Sequence, residues 1–206
     1  MRITTLMLAA TSASILLACG NNDAEEIDVA EDRIEELQRD ADAAMERTAD
    51  IAARVEMMEK TYAVVNSSGF EIGTVTISDD SDGVDVDLDV TSMPEGAHAL
   101  HFHAVGRCDG PDFTSAGGHY NPGNNQHGFD ATDTPHAGDM RNFDAPASGV
   151  VSVERDNPRV SLSARGGYAP LLDSDGTALI IHAGADDYES QPSGAAGGRI
   201  ACAVIN

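Results

Sequence analysis

The clearest strand in the chain is marked by a strict alternation of apolar and acidic positions. Valine or leucine stands at positions 84, 86, 88 and 90, and aspartate stands at the three positions between them. A period of two places each set on its own face of a β-strand. We therefore expect the apolar face of this strand to be buried and the acidic face to be exposed.

Seven further segments carry strand-forming residues between clusters of turn residues. They are residues 61–65, 69–78, 97–103, 150–153, 160–163, 178–182 and 200–205. About eight strands without a helical period predict an antiparallel all-β sandwich or barrel over residues 61–206. Between Cys108 and Arg141 lies a long stretch rich in Gly, His, Asn and Pro. Irregular segments of that length are usually functional loops.

A seven-residue repeat of apolar and small residues precedes the β segment, at residues 27–60. Its two sets of seam positions are Ile27, Ile34, Ala41, Thr48 and Val55, and Ala30, Leu37, Ala44, Ile51 and Met58. No Gly or Pro interrupts the repeat, so we predict a helix about 51 Å long. A coiled coil would make the protein a homo-oligomer through residues 27–60. Because Ala and Thr make the seam thin, a single solvated amphipathic helix is the alternative.

The amino terminus predicts export. Residues 1–18 form a signal peptide whose apolar run is shorter than the about 20 residues of a spanning helix. Residues 16–20 resemble the bacterial lipobox, which would leave Cys19 as a lipid-carrying amino terminus followed by a linker to residue 26. An ordinary export signal with an incidental cysteine is the alternative. Because Gly20 and Asn21 do not resemble an acidic inner-membrane retention signal, we expect a lipid anchor in the outer membrane, on the periplasmic or cell-surface side.

The three cysteines fit an oxidising compartment. If Cys19 carries lipid, Cys108 and Cys202 remain as a pair. An even number of remaining cysteines in an exported protein predicts one disulfide bond.

The net charge argues against two kinds of partner, nucleic acid and anionic lipid bound by charge. The chain has 12 Lys and Arg against 35 Asp and Glu, a net charge of −23. Nucleic acid binding needs a basic face, and adhesion to anionic lipid by charge needs one as well. We therefore expect neither.

The seven histidines all lie between residues 98 and 182 and indicate a metal site. His101 and His103 alternate on a predicted strand, so their side chains share one face. His98 has the opposite parity and is predicted to be structural. The remaining candidate ligands are His119, His127, His136, Asp139 and His182. Imidazole suits copper and zinc, and a mixture of His and Asp suits zinc, so spacing alone leaves the metal open.

Six stretches then occur in an order that carries a family resemblance. They read GAHALHFH (96–103), CDGPDFTSAGGHYNP (108–122), HG (127–128), HAGD (136–139), IIHAGADD (180–187) and GGRIACAVI (197–205). Their order resembles the copper/zinc superoxide dismutase family of the bacterial exported type. The resemblance covers residues 61–206 and implies an eight-stranded Greek-key barrel or sandwich with two long functional loops.

The resemblance also implies the site residues. The implied copper ligands are His101, His103, His119 and His182, and the implied zinc ligands are His119, His127, His136 and Asp139. His119 would thus serve both metals. Asp186 is implied to orient one copper and one zinc histidine, Arg199 to dock superoxide at the copper channel, and Cys108 and Cys202 to form the disulfide of the family.

The implied activity is dismutation of superoxide to dioxygen and hydrogen peroxide. Copper would cycle between Cu(II) and Cu(I), zinc would organise the long loop, Arg199 and His119 would be the catalytic residues, and the reaction would protect the cell envelope. Two alternatives are a metal-buffering protein without turnover and a structural lipoprotein in which the helix matters most. Residues 61–206 carry 21 acidic residues and six Arg, a net charge of −15. We therefore expect weak electrostatic steering of superoxide.

Overall fold

The computed structural model describes residues 23–130 and 134–206. The predicted signal peptide at residues 1–18 and the predicted lipidation site at Cys19 lie outside these ranges. Among the helices within them, none combines the length and the apolar character that crossing a membrane requires.

The predicted helix is present as α1, Asp23–Met58. It begins at Asp23, inside the segment predicted as a linker, and ends two residues before the expected boundary because Glu59 and Lys60 already belong to the first β-strand. Three seam residues, Ile34, Leu37 and Ile51, are 54%, 60% and 61% exposed. These three seam residues therefore form an exposed apolar stripe along the part of the helix whose side chains are described.

The second compact unit of the chain, Ala52–Asn206, contains all the described strands, and we call its residues 59–206 the β domain. Its strands are β1 (Glu59–Asn66), β2 (Glu71–Asp79), β3 (Val84–Val90), β4 (Gly96–His98), β5 (Leu100–His103), β6 (Phe143–Ala145), β7 (Val151–Asn157), β8 (Val160–Ser161), β9 (Ala169–Pro170), β10 (Thr177–His182) and β11 (Arg199–Ile205). Seven of them make one curled antiparallel sheet in the order β5-β10-β11-β1-β2-β3-β7. The predicted antiparallel all-β fold is confirmed. Two short ladders, β4–β6 and β8–β9, complete the described strands.

The segment 97–103, predicted as one strand, is divided at Ala99. The N–H of Ala99 donates to Gly184 O at 2.9 Å, and its C=O accepts from His182 N at 3.0 Å. These bonds fasten Ala99 to the chain that follows β10. As a result β4 pairs with β6, whereas β5 pairs with β10 at the edge of the large sheet. The short strands β6 and β9 were not expected, because two or three residues are too few to show alternation.

Burial follows the sequence pattern closely. The apolar residues of β3 are buried in the main core, and Asp87 and Asp89 between them are exposed. Strand β10 is buried on both faces. Leu179 and Ile181 pack into the main core, and Ile180 packs into a smaller cluster with Phe113 and Cys202. This explains why β10 reads as an unbroken apolar run rather than an alternating one.

The predicted disulfide bond is confirmed. Cys108 and Cys202 are bonded across a sequence separation of 94 residues, with their Cα atoms 5.8 Å apart. The bond fastens the start of the long loop to β11. The loop then turns through a short 3-10 helix, Thr114–Ala116, and returns to β5.

Candidate metal centre

The edge of β5 opposite β10 binds the long loop and brings it to the strand histidines. The N–H of Phe102 donates to Gly138 O at 2.9 Å, and the C=O of Phe102 accepts from Tyr120 N at 2.8 Å. A Cβ atom at Gly138 would overlap Phe102 O, so the approach requires glycine. Because Phe102 points into the core, its neighbours His101 and His103 face the loop.

Four histidines form the first candidate metal site, the four-histidine cluster. Its members are His101, His103, His119 and His182, and one ring nitrogen of each lies within 4.8 Å of the others. Four buried ring nitrogens in this cluster have no hydrogen-bond partner among the described residues. They are His101 Nδ1, His103 Nε2, His119 Nε2 and His182 Nε2.

Hydrogen bonds on the opposite side of each strand-borne ring fix its tautomer. His103 Nδ1 contacts Gly117 O at 3.0 Å, and His182 Nδ1 contacts Gly197 O at 3.2 Å. His101 Nε2 contacts a carboxylate oxygen of Asp186 at 2.8 Å. Because each of these oxygens only accepts, the contacting nitrogen carries the hydrogen and the other nitrogen keeps a free lone pair. The lone pairs therefore converge, as a cation requires.

Burial favours the neutral form of three rings of the cluster, His103, His119 and His182. Burial lowers the pKa of His182 to about 3 and that of His119 to about 4, although Asp139 partly opposes the effect at His119. Burial also lowers the pKa of His103 well below its ordinary value. Neutral imidazole is the form that binds a metal ion, so the cluster is suited to a cation without first losing protons there.

The second candidate site, the histidine–aspartate cluster, shares a residue with the first. Its members are His119, His127, His136 and Asp139. Asp139 Oδ1 lies 2.9 Å from His119 Nδ1, and Asp139 Oδ2 lies 3.0 Å from His127 Nδ1. His136 Nδ1 lies 3.4 Å from His119 Nδ1. His119 thus presents Nε2 to the four-histidine cluster and Nδ1 to this one.

The second cluster places a buried carboxylate beside a ring that holds its proton. Burial acts to raise the pKa of Asp139, but the hydrogen bond from His119 and the close rings of His127 and His136 hold it well below its ordinary value. Burial acts to lower the pKa of His127, but the two carboxylates beside it raise that pKa to about 9. A divalent cation bound here would take the place of the His127 proton beside Asp139, because only the neutral imidazole binds a metal.

Asp186 connects the two clusters. One of its oxygens lies 2.8 Å from His101 Nε2 and the other lies 3.0 Å from His127 Nε2. Its backbone N–H and C=O are both bonded to the side-chain amide of Asn142, each at 2.9 Å. At Gly194, in the same loop, a Cβ atom would overlap Asp186 Oδ1. The loop 183–198 can therefore close over this carboxylate only with glycine there.

A cleft opens on both clusters and contains Arg199. The cleft has a volume of about 530 Å³ and is lined by His103, Gly118, His119, Asn121, Asn125, Gln126, His136, His182, Gln191, Pro192, Ser193, Gly197 and Arg199. The Arg199 guanidinium donates to Phe113 O and Gly117 O, both at 2.6 Å. Gly117 O also accepts a hydrogen bond from His103. This one carbonyl therefore fixes the Arg199 guanidinium relative to the four-histidine cluster.

The structure brings together all the predicted site residues that lie in the β domain. His98 is structural, as expected: its ring bonds to His182 O at 2.8 Å and to Pro94 O at 2.9 Å. Asn142 and Arg159 were missed, although Arg159 donates to the carbonyls of His136 and Asp139. Single polar residues outside a histidine motif carry no sequence signal of such contacts.

A family model and the sequences of known proteins all match this chain to the same family. The family model described as copper/zinc superoxide dismutase (SODC) matches residues 71–205. Superoxide dismutase [Cu-Zn] 1 of Aquifex aeolicus is 45% identical over 71% of this chain and 87% of its own length. Superoxide dismutase [Cu-Zn] of Caulobacter vibrioides is 40% identical over 70% of this chain and 84% of its own.

A solved structure agrees. The crystal structure of a SOD-like protein from Bacillus subtilis superimposes with a TM-score of 0.67 at 39% identity, covering 71% of this chain and 97% of that one. The predicted family is therefore confirmed, and the chain belongs to the copper/zinc superoxide dismutase family.

Proposed function

We propose that this chain dismutes superoxide to dioxygen and hydrogen peroxide at the cell envelope. The observation that carries the proposal is the four-histidine cluster, in which four bare ring nitrogens converge beside Arg199. Overall similarity does not decide between a dismutase and a SOD-like protein, since relatives described in both ways are 39–45% identical to the chain. A complete donor set on the open cleft favours the dismutase.

The donor chemistry suggests which metal each cluster takes. Four neutral imidazoles suit copper, and three imidazoles with a carboxylate suit zinc. We assign copper to His101, His103, His119 and His182, and zinc to His119, His127, His136 and Asp139. When bound, copper accepts an electron from one superoxide and gives an electron to the next, while zinc has no redox role.

The residues around the copper site bind the anion and move protons. Arg199, held by two carbonyls, offers the remaining guanidinium N–H groups and a positive charge to a small monoanion in the cleft. His119 Nε2 can hold one of the two protons that superoxide needs to leave as hydrogen peroxide, and water supplies the other. The Nδ1 side of the His119 ring faces the histidine–aspartate cluster, where Asp139 Oδ1 lies 2.9 Å away, so zinc bound there would hold the ring in place.

Replacing His182 tests the catalytic proposal. We expect His182→Ala in the full chain to lose copper, because one of four converging nitrogens is gone, but to keep zinc in the other cluster. Outer hydrogen-bond partners of metal ligands typically account for about 10- to 100-fold in activity, so losing a ligand should slow catalysed superoxide decay by more than about 100-fold. Pulse radiolysis measures the decay, and metal analysis of the same sample gives both contents.

The alternatives make different forecasts for that pair of proteins. A metal-buffering lipoprotein would bind copper tightly in the wild type and still show no faster decay than His182→Ala. Decay proportional to bound copper in the wild type excludes both the buffer and the passive structural domain.

The charge around the cleft sets the dependence on salt. Arg199 is the only cation among the cleft residues, and the loop 183–198 has Asp186, Asp187 and Glu189 without Lys or Arg. We expect the rate constant to stay flat or to rise from about 0.01 M to about 0.15 M salt, as the Debye length falls from about 30 Å to about 8 Å. Glu189→Lys should raise the rate at low salt and make it fall as salt is added. A steep fall in the wild type would exclude weak steering.

We further propose that lipid on Cys19 anchors the enzyme in the outer membrane. The support is the lipobox-like sequence at residues 16–20. Wild-type protein should sediment with outer membranes and release a lipid-modified peptide beginning at Cys19, whereas Cys19→Ser should be found in the soluble exported fraction. Membrane association that survives Cys19→Ser would refute the anchor.

We also propose that α1 pairs with α1 of other copies. Its stripe of half-exposed apolar seam residues supports a coiled coil. In the lipid-free Cys19→Ser background, Ile34→Asp with Leu37→Asp should shift the sedimentation coefficient to that of a monomer. Arg39→Asp, which adds a similar charge outside the seam, serves as the control. Equal mass for all three proteins would mean that the helix is a solvated spacer.

A further inference from the structure

Gln191 holds the backbone of His127 from the opposite loop. Its Oε1 accepts from His127 N at 2.8 Å, and its Nε2 donates to His127 O at 2.8 Å. Nε2 also donates to Glu189 O at 3.1 Å within its own loop. These partners fix the orientation of the Gln191 side-chain amide. If the amide were flipped, its NH2 group would face the N–H of His127 and its oxygen would face two carbonyl oxygens.

His127 depends on this contact. It lies outside every strand, and within residues 23–130 and 134–206 its N–H and C=O have no hydrogen-bond partner other than Gln191. Its ring is fully buried, with Nε2 on Asp186 and Nδ1 on Asp139. Two residues of the loop 183–198 therefore bond to His127: Asp186 contacts the ring and Gln191 contacts the backbone.

We propose that Gln191 is a positioning residue that sets the retention of zinc by fixing His127. The inference deepens the proposed function and rests on its assignment of zinc to the histidine–aspartate cluster. Gln191 also lines the cleft beside Arg199. The same amide thus couples the zinc ligand to the loop that borders the substrate cleft.

Two substitutions and one matched control separate the contacts. Gln191→Ala removes both bonds to His127. Gln191→Glu keeps an acceptor for His127 N but cannot donate to His127 O. Gln126→Ala removes the same type of side chain next to His127, and Gln126 is exposed and makes no side-chain hydrogen bond among the described residues.

The experiment measures amide exchange and zinc release in the full chain. In the metal-free protein, we expect the His127 amide to exchange faster in Gln191→Ala, with Gln191→Glu in between. A chelator should remove Zn²⁺ from Gln191→Ala about 10-fold faster than from the wild type, in the range found for outer partners of metal ligands. The visible spectrum of bound Co²⁺ should change in Gln191→Ala and stay unchanged in Gln126→Ala.

Unchanged zinc release and unchanged His127 exchange in Gln191→Ala would overturn the inference. Equal acceleration in Gln126→Ala would also overturn it, since that result would mean a general loosening of the loop. Neither readout needs superoxide. A wild-type chain that binds zinc as expected but shows no dismutation would refute the proposed function and leave the role of Gln191 intact.

Discussion

Each histidine of β5 and β10 in the four-histidine cluster is hydrogen-bonded through the ring nitrogen that points away from the cluster. These bonds determine whether the other ring nitrogen can bind a metal ion. Gly117 O and Gly197 O fix His103 and His182, and the Asp186 carboxylate fixes His101. Each bond places the ring hydrogen away from the centre of the cluster and leaves a lone pair pointing inward. Burial then keeps the His103 and His182 rings neutral. Without these acceptors the same histidines could turn or protonate, and the shared space would repel a cation.

The sheet and the loops divide this task between them. Strands β5 and β10 supply three histidines on a rigid, hydrogen-bonded surface, and the backbone of Phe102 recruits the long loop to the edge of β5. The loop supplies the remaining ligands. The segment 183–198 contributes Asp186, whose carboxylate bonds to His101 and His127. The backbone of Asp186 is in turn hydrogen-bonded to the side chain of Asn142. The long loop between Cys108 and Arg141 is connected to β11 by the Cys108–Cys202 disulfide and by the two carbonyl contacts of Arg199.

Sequence patterns predicted the parts whose physics is local or whose motif is distinctive. The alternation in β3, the helix α1 and the histidine sets all follow from spacing, residue type or family resemblance. The break at Ala99 could not be predicted, because it is caused by bonds to Gly184 and His182, which lie more than 80 residues away. The side-chain amide contacts of Asn142 and Gln191 could not be predicted from the sequence for the same reason. Their function lies in which backbone they meet, and tertiary structure alone decides that.

Anomalous diffraction at the copper and zinc absorption edges tests the central claim most directly. We expect crystals of the protein loaded with both metals to show a copper peak among the ring nitrogens of His101, His103, His119 and His182. A separate zinc peak should lie among His127, His136, Asp139 and the other nitrogen of His119. Copper and zinc peaks that coincide, or a His119 ring that contacts only one metal, would contradict the shared two-metal centre.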